Sequence, residues 1–176
     1  MTPVLPFVAA LVVVSTGAPA GAIIAQEKEN AQKALELKAC GPKEKEVDFS
    51  ADTDKHQHPT PEPPAGAGLV YVIRPTLIGG AVQTKVAVDG DWKGVNRGNN
   101  YFYFTLDPGE HYICSQAENQ SVLTLTVEAG KTYYIQQHIE MGFMKSRNRI
   151  ELITNEEGAK KLAEAHLSTW QIKKKS

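Results

Sequence analysis

Val82-Gln-Thr-Lys-Val-Ala-Val88, Asp89-Gly90 and Trp92-Lys-Gly-Val95 stand in succession near the middle of the chain. Val82, Thr84, Val86 and Val88 share one side of an alternating segment, the period-two spacing of a strand. Asp-Gly between two such segments is a hairpin signal, because a two-residue turn of the favoured type needs positive φ at both positions. Upstream, Leu69-Val-Tyr-Val-Ile73 is a continuous apolar run suited to a strand buried on both faces, and Pro75 ends it. Downstream, after the loop Asn96-Arg-Gly-Asn-Asn100, residues 101–106 and 111–115 flank the tight turn Asp107-Pro-Gly109. Residues 122–127 and 132–139 flank Glu128-Ala-Gly-Lys131, and residues 150–154 make an eighth strand. Eight short strands at this spacing predict a mainly β chain, folded as an antiparallel β-sandwich.

The flanks read differently. Asn155 is placed as the cap of a C-terminal helix with Ala159, Leu162, Ala163, His166 and Trp170 on one face. Residues 26–39 lack Gly and Pro and predict a short N-terminal helix carrying Ala31, Ala34, Leu35 and Lys38 on one face, stopped at Gly41-Pro42. Residues 43–68 are charged and then proline-rich, and Pro59, Pro61, Pro63 and Pro64 favour an extended, unpaired backbone, so the segment reads as a linker or strap. Nothing before Glu27 is charged. Residues 4–14 are apolar and precede Ala18-Pro-Ala20 and Ala20-Gly-Ala22, the outline of a signal sequence with a peptidase site, although its first residues carry no Lys or Arg. The alternative is an uncleaved inner-membrane anchor over residues 4–25. Leu37-Lys-Ala-Cys40-Gly has the outline of a lipid-attachment site, but the charged residues from 26 to 38 separate it from the apolar core. The chain thus divides into a signal peptide (1–22), a short helix and linker (23–68), a β-sandwich with its C-terminal helix (69–170) and a basic tail (171–176). The expected location is extracytoplasmic, periplasmic or secreted, with membrane contact only through a retained leader.

With 19 basic and 20 acidic residues the chain has no summed field to attract a polyanion, so nucleic acid is not expected as a partner. Export would pair the two cysteines, Cys40 with Cys114, stapling the N-terminal segment to the core. Gly-x-Ser-x-Gly, His-Glu-x-x-His, Cys-x-x-Cys and phosphate-binding glycine loops are all absent, which removes the simplest hydrolase, zinc, redox and nucleotide readings. His111 and Ser115 share a strand face roughly 13 Å apart, too far for proton transfer. His56-Gln-His58 with Asp52 and Asp54 has metal-ligand chemistry, but two imidazoles are not a closed site and the bland reading is a solvated linker. Tyr71, Tyr101, Phe102, Tyr103 and Phe104 are expected mainly as core, alternate members of 101–104 pointing to opposite faces, one of them a candidate partner patch. Asn119-Gln-Ser121 is a sequon on a turn, and Lys173-Lys-Lys175 a solvated tail.

Several strings taken together, Val70-Tyr-Val-Ile-Arg-Pro75, Val88-Asp-Gly90 with Gly94, Tyr101-Phe102, Pro108-Gly-Glu-His111 and Ala129-Gly-Lys-Thr-Tyr-Tyr134, resemble a known family. It is the bacterial domain-of-unknown-function family twenty-eight forty-six, and the resemblance runs from Leu69 to about Leu167. It implies an exported or lipoprotein-like envelope β-domain, with no catalytic residue to transfer. Two functional expectations follow. The first is a non-enzymatic module, without cofactor or metal, that binds or braces an envelope protein or cell-wall component. The second is a small-ligand protein or enzyme whose site is assembled around Arg74, His111 and His138.

Overall fold

The computed structural model describes residues 20–76, 79–141 and 146–173. In chain order these form α1 (Ala20–Cys40), a single 3-10 turn (Lys43–Lys45), β1 (Phe49–Asp54), β2 (Gly68–Arg74), β3 (Thr84–Val88), β4 (Asp91–Asn96), β5 (Asn100–Leu106) and β6 (Gly109–Gln116). They continue with β7 (Gln120–Val127), β8 (Thr132–Met141), β9 (Ser146–Ile153), α2 (Asn155–Glu164) and β10 (His166–Ile172). A six-stranded sheet, here sheet A, has the order β1-β10-β5-β2-β8-β9, and a four-stranded sheet B the order β4-β3-β6-β7. Asp89 and Gly90 turn at φ 52° and 87°, the double positive φ that the dipeptide encodes.

The sheets pack face to face. Val70, Val72, Phe102, Ile135 and Ile150 from sheet A meet Val86, Val88, Ile113, Leu125 and Val127 from sheet B in one core. Every residue of β2 is buried, as the unbroken apolar run predicts, so sheet A needs cover on its outer face as well. That second layer is Leu69, Tyr71, Ile73 and Tyr101 under Leu162 and Ala165. The 101–104 run splits as alternation requires: Phe102 and Phe104 face the inner core, Tyr101 and Tyr103 the outer layer.

All eight predicted strands form, and the mainly β sandwich class holds with ten strands among the described residues. Sheet B is antiparallel throughout, but sheet A also contains two parallel pairings, β2 with β8 and β5 with β10. Both extra strands fall in segments given to other structure. β1 lies inside the segment read as a linker and pairs antiparallel with β10, Phe49 opposite Ile172 through Asp54 opposite Leu167. Its alternation is faint, because only Phe49 and Ala51 are buried. The C-terminal helix read as far as Trp170 ends at Glu164. Ala159 and Ala163 are exposed, and the helix buries Gly158 and Leu162. Trp170 sits on a strand, edge-on to Phe102 at 5.0 Å. The cap is Thr154, whose side chain accepts from Glu157 N, in place of Asn155. The leader core and residues 174–176 of the basic tail lie outside the described residues.

A Cβ added at Gly158 would lie 2.1 Å from Tyr134 Cγ, so α2 meets the sheet at a distance that only glycine permits. Alanine there gains about 1 kcal/mol of helix propensity. Overpacking against a ring already stacked on Tyr71 costs more, up to about 3 kcal/mol. Gly158→Ala is therefore expected to lose about 1–2 kcal/mol in urea unfolding. Gly66→Ala, with nothing within 4 Å of its new Cβ, should stay within about 0.5 kcal/mol of the parent.

Candidate functional site

β1 and β2 run in the same direction with β10 and β5 between them, so the chain leaving Asp54 must cross the outer face of sheet A to begin again at Gly68. The proline-rich segment makes that crossing. Its carbonyls are met by tyrosine hydroxyls: Tyr101 Oη donates to Pro59 O and Tyr71 Oη to Pro61 O, both at 3.1 Å. His58 stands edge-on to the Tyr101 ring at 5.0 Å. Tyr71 stacks on Tyr134 at 5.3 Å and lies tilted against Tyr103 at 5.7 Å, forming an aromatic floor between the strap and α2. Burial pushes the Tyr71 and Tyr101 phenols up to about 12, so both remain hydrogen-bond donors at any physiological pH. This is a strap fitted to a surface, and the sequence signal for it was the proline run facing a tyrosine-rich sheet.

A covalent tie fixes the N-terminal segment to the other sheet. Cys40 and Cys114 are bonded, with Cα atoms 5.1 Å apart. Cys114 points away from the sandwich core and joins Ala39, Ala87, Tyr112, Trp92 and Val122 in a small apolar cluster on the outer face of sheet B. The last turn of α1 seats on the hairpin: Gly90 N donates to Ala39 O at 3.0 Å, and a Cβ on Gly41 would stand 2.7 Å from Gly90 O. Glu46 adds an ion pair to Lys85 and accepts from Gln116 Nε2 at 2.8 Å. The Lys85 ammonium holds its carboxyl below the usual range. Residues 21–34 of α1 are exposed throughout.

The three residues considered for an assembled site do not meet. Arg74 is fully buried on the inner face of sheet A, where its guanidinium donates to Gly79 O at 2.7 Å and to Val82 O, and desolvation lowers its pKa to about 10. His138 lies on the opposite face of that sheet, 2.6 Å from Glu151 Oε1. Glu151 is held below the usual carboxylate range by Arg149 and His138. His111 belongs to sheet B, where Nδ1 is 2.6 Å from Asp89 Oδ2 and Nε2 2.8 Å from Asp107 O. Ser115, four residues on, is bound into a buried neutral network that sequence reading did not foresee. Gln137 Nε2 donates to Ser115 Oγ at 2.8 Å, Ser115 Oγ to Asn148 Oδ1 at 2.9 Å, and Thr84 Oγ1 and Asn96 Nδ2 to Gln137 Oε1. It links the two sheets at one end of the sandwich and holds no acid, base or free nucleophile. Among the described residues no three of His, Cys, Asp and Glu stand together as a metal site. Asp52, Asp54 and His56 line a shallow groove of about 390 Å³ with Lys55 and Thr169, while His58 is turned to Tyr101.

His111 acts as a clasp between the Asp89-Gly90 hairpin and the Asp107-Pro-Gly109 turn. Burial works against its charged form, but the Asp89 hydrogen bond, the Asp107 carbonyl and the two nearby carboxylates outweigh it, and the pKa is raised. Both ring nitrogens face oxygen acceptors, which only the doubly protonated ring satisfies. Because the folded pKa exceeds the unfolded one, the stabilisation is complete below the ordinary value near 6.5 and fades as pH rises through the folded pKa. His111→Gln is expected to cost about 1–2 kcal/mol in urea unfolding at pH 5.5, with the gap from the parent narrowing as pH rises through the raised folded pKa.

Residues 64–148 match the model of a family described as "Protein of unknown function (DUF2846)". An uncharacterized protein of Haemophilus influenzae is 29% identical over 100 residues, covering 56% of this chain and 60% of that relative. The match therefore spans less than two thirds of the relative's length. No solved structure matches the chain. The strings that carried the resemblance fall on the sandwich itself: β2, the Asp89-Gly90 hairpin, the start of β5, the His111 clasp and the turn into β8. Over residues 64–148, the β-domain of this chain is similar to the DUF2846 family.

Proposed function

We propose that the protein is exported and serves in the bacterial cell envelope as a non-enzymatic interaction module that binds or braces an envelope protein or cell-wall component. The observation that carries this reading is the Cys40–Cys114 bond, since protein disulfides persist in oxidising compartments. The apolar residues 4–14 and the small residues after them supply a route to such a compartment. Helix α1, exposed along residues 21–34 and tied to the domain at its last turn, is suited to a spacer of about 20–30 Å at 1.5 Å per residue, depending on where the mature chain starts. Among the described residues no helix is long and apolar enough to cross a membrane. An inner-membrane anchor over residues 4–25 is the form the protein takes if the leader is kept.

N-terminal sequencing of protein recovered from fractionated cells tests this. The expected mature N-terminus is Gly21, Ile23 or Gln26, in the extracytoplasmic fraction. An intact Met1 in the membrane fraction would establish the anchor, and acylation of Cys40 would make it a lipoprotein without the bridge. Protein accumulating in the cytoplasm with both thiols reduced would overturn export altogether.

A further inference from the structure

The strap rests on sheet A through few bonds. Among the described residues, the backbone of 58–66 makes one main-chain hydrogen bond, from Ala67 N to Pro64 O, and otherwise depends on the two tyrosine hydroxyls, the His58 contact and proline packing. Four of the six residues from Pro59 to Pro64 are proline, so the segment has an extended backbone whose carbonyls, Pro64 O apart, are left free of main-chain hydrogen bonds among the described residues. Pro59 and Pro63 are half-buried, whereas Thr60, Pro61, Glu62 and Pro64 are exposed. Beneath them Tyr71 and Tyr101, at 2% and 0% exposure with the strap in place, turn their hydroxyls outward to its carbonyls. Aromatic grooves that donate to the carbonyls of a preformed extended helix are a recurring way of recognising proline-rich peptides.

We propose that the outer face of sheet A beside α2, floored by Tyr71 and Tyr101 with Tyr103 alongside, is a polyproline-binding groove that takes a proline-rich extended segment of a partner protein in place of the chain's own residues 59–64. The chain's own segment shows which chemistry the groove accepts: carbonyl acceptors two residues apart on a proline-rich backbone. This deepens the interaction-module reading and rests on it for the partner's location, but the binding itself is a property of the purified domain. Because the strap is tethered at both ends, by β1 and β2, it competes at millimolar effective concentration, and the partner must displace it. Hence affinity rises when the strap is weakened.

The test is a titration of the isotope-labelled full chain, followed by NMR, with a synthetic peptide copying residues 56–66. A chain carrying Pro59→Gly, Pro61→Ser, Pro63→Gly and Pro64→Ser should bind the peptide at least about tenfold more tightly than the parent, with shifts centred on β2 and β5. Adding Tyr71→Phe and Tyr101→Phe should reverse the gain by about tenfold or more. A peptide with its prolines replaced by alanine should bind more weakly, and equal binding would refute the polyproline chemistry. No saturable shift at millimolar peptide, in a chain that melts cooperatively with its disulfide closed, overturns the proposal. Should the fourfold variant not fold, the exposed Pro61→Gly takes its place, and affinity equal to the parent's is then the refuting result. A parent that sediments as a dimer and dissociates on adding peptide would make the occupant a second copy of the chain, and the assignment to a different partner would fall. Export can fail while the peptide binds, or succeed while it does not, so the two readings are judged separately.

Discussion

Burial of β2 on both faces is the constraint from which the rest of the architecture follows. A strand apolar on both sides cannot lie at a sheet surface facing water, and here every residue from Gly68 to Arg74 is buried. Sheet B covers one side. On the other, a single ten-residue helix packs Leu162 over part of that layer, and the strap closes over the hydroxyl ends of Tyr71 and Tyr101. The proline run is therefore both connection and cover. Proline suits this role because it has no N–H to leave unsatisfied over an aromatic surface.

The covalent tie works on the opposite side of the molecule and by a different mechanism. Helix α1 buries Ala39 and Cys40 and little else, so packing alone holds it weakly. A bond closing 74 residues contributes about 4 kcal/mol on the chain-entropy model and adds to the small apolar cluster around Ala87. The bridge thus turns an exposed helix into a fixed appendage. Glu46, Lys85 and Gln116 continue the seam toward β1.

Local chemistry was legible wherever one segment decided its own structure. Alternation and the Asp89-Gly90 dipeptide gave the hairpin, and the unbroken run at Leu69 gave a strand buried on both faces. The cysteine pair was readable because the chain has two cysteines and no third competes for either. What escaped reading depends on segments far apart in sequence. β1 and β10 are strands because they pair with each other across more than a hundred residues, and each alone is too polar or too helix-like in pattern to announce itself. His111 looked like the start of a strand, and its clasp to Asp89 needed the register of β3 against β6. The Gln137 network required knowing which face of β8 turns inward. The tyrosine floor was visible as an aromatic run, while its occupant was not.

The central claim is that the strap and β1 belong to the folded domain and seal the outer face of sheet A. Spectrophotometric titration of the six tyrosines, with the fold followed by circular dichroism, tests it most directly. Two phenols, Tyr71 and Tyr101, should stay protonated until pH about 12, after the more exposed tyrosines have ionised. Ionisation of all six as a single population near pH 10, in protein still folded, would show that the face is open to water and contradict the account.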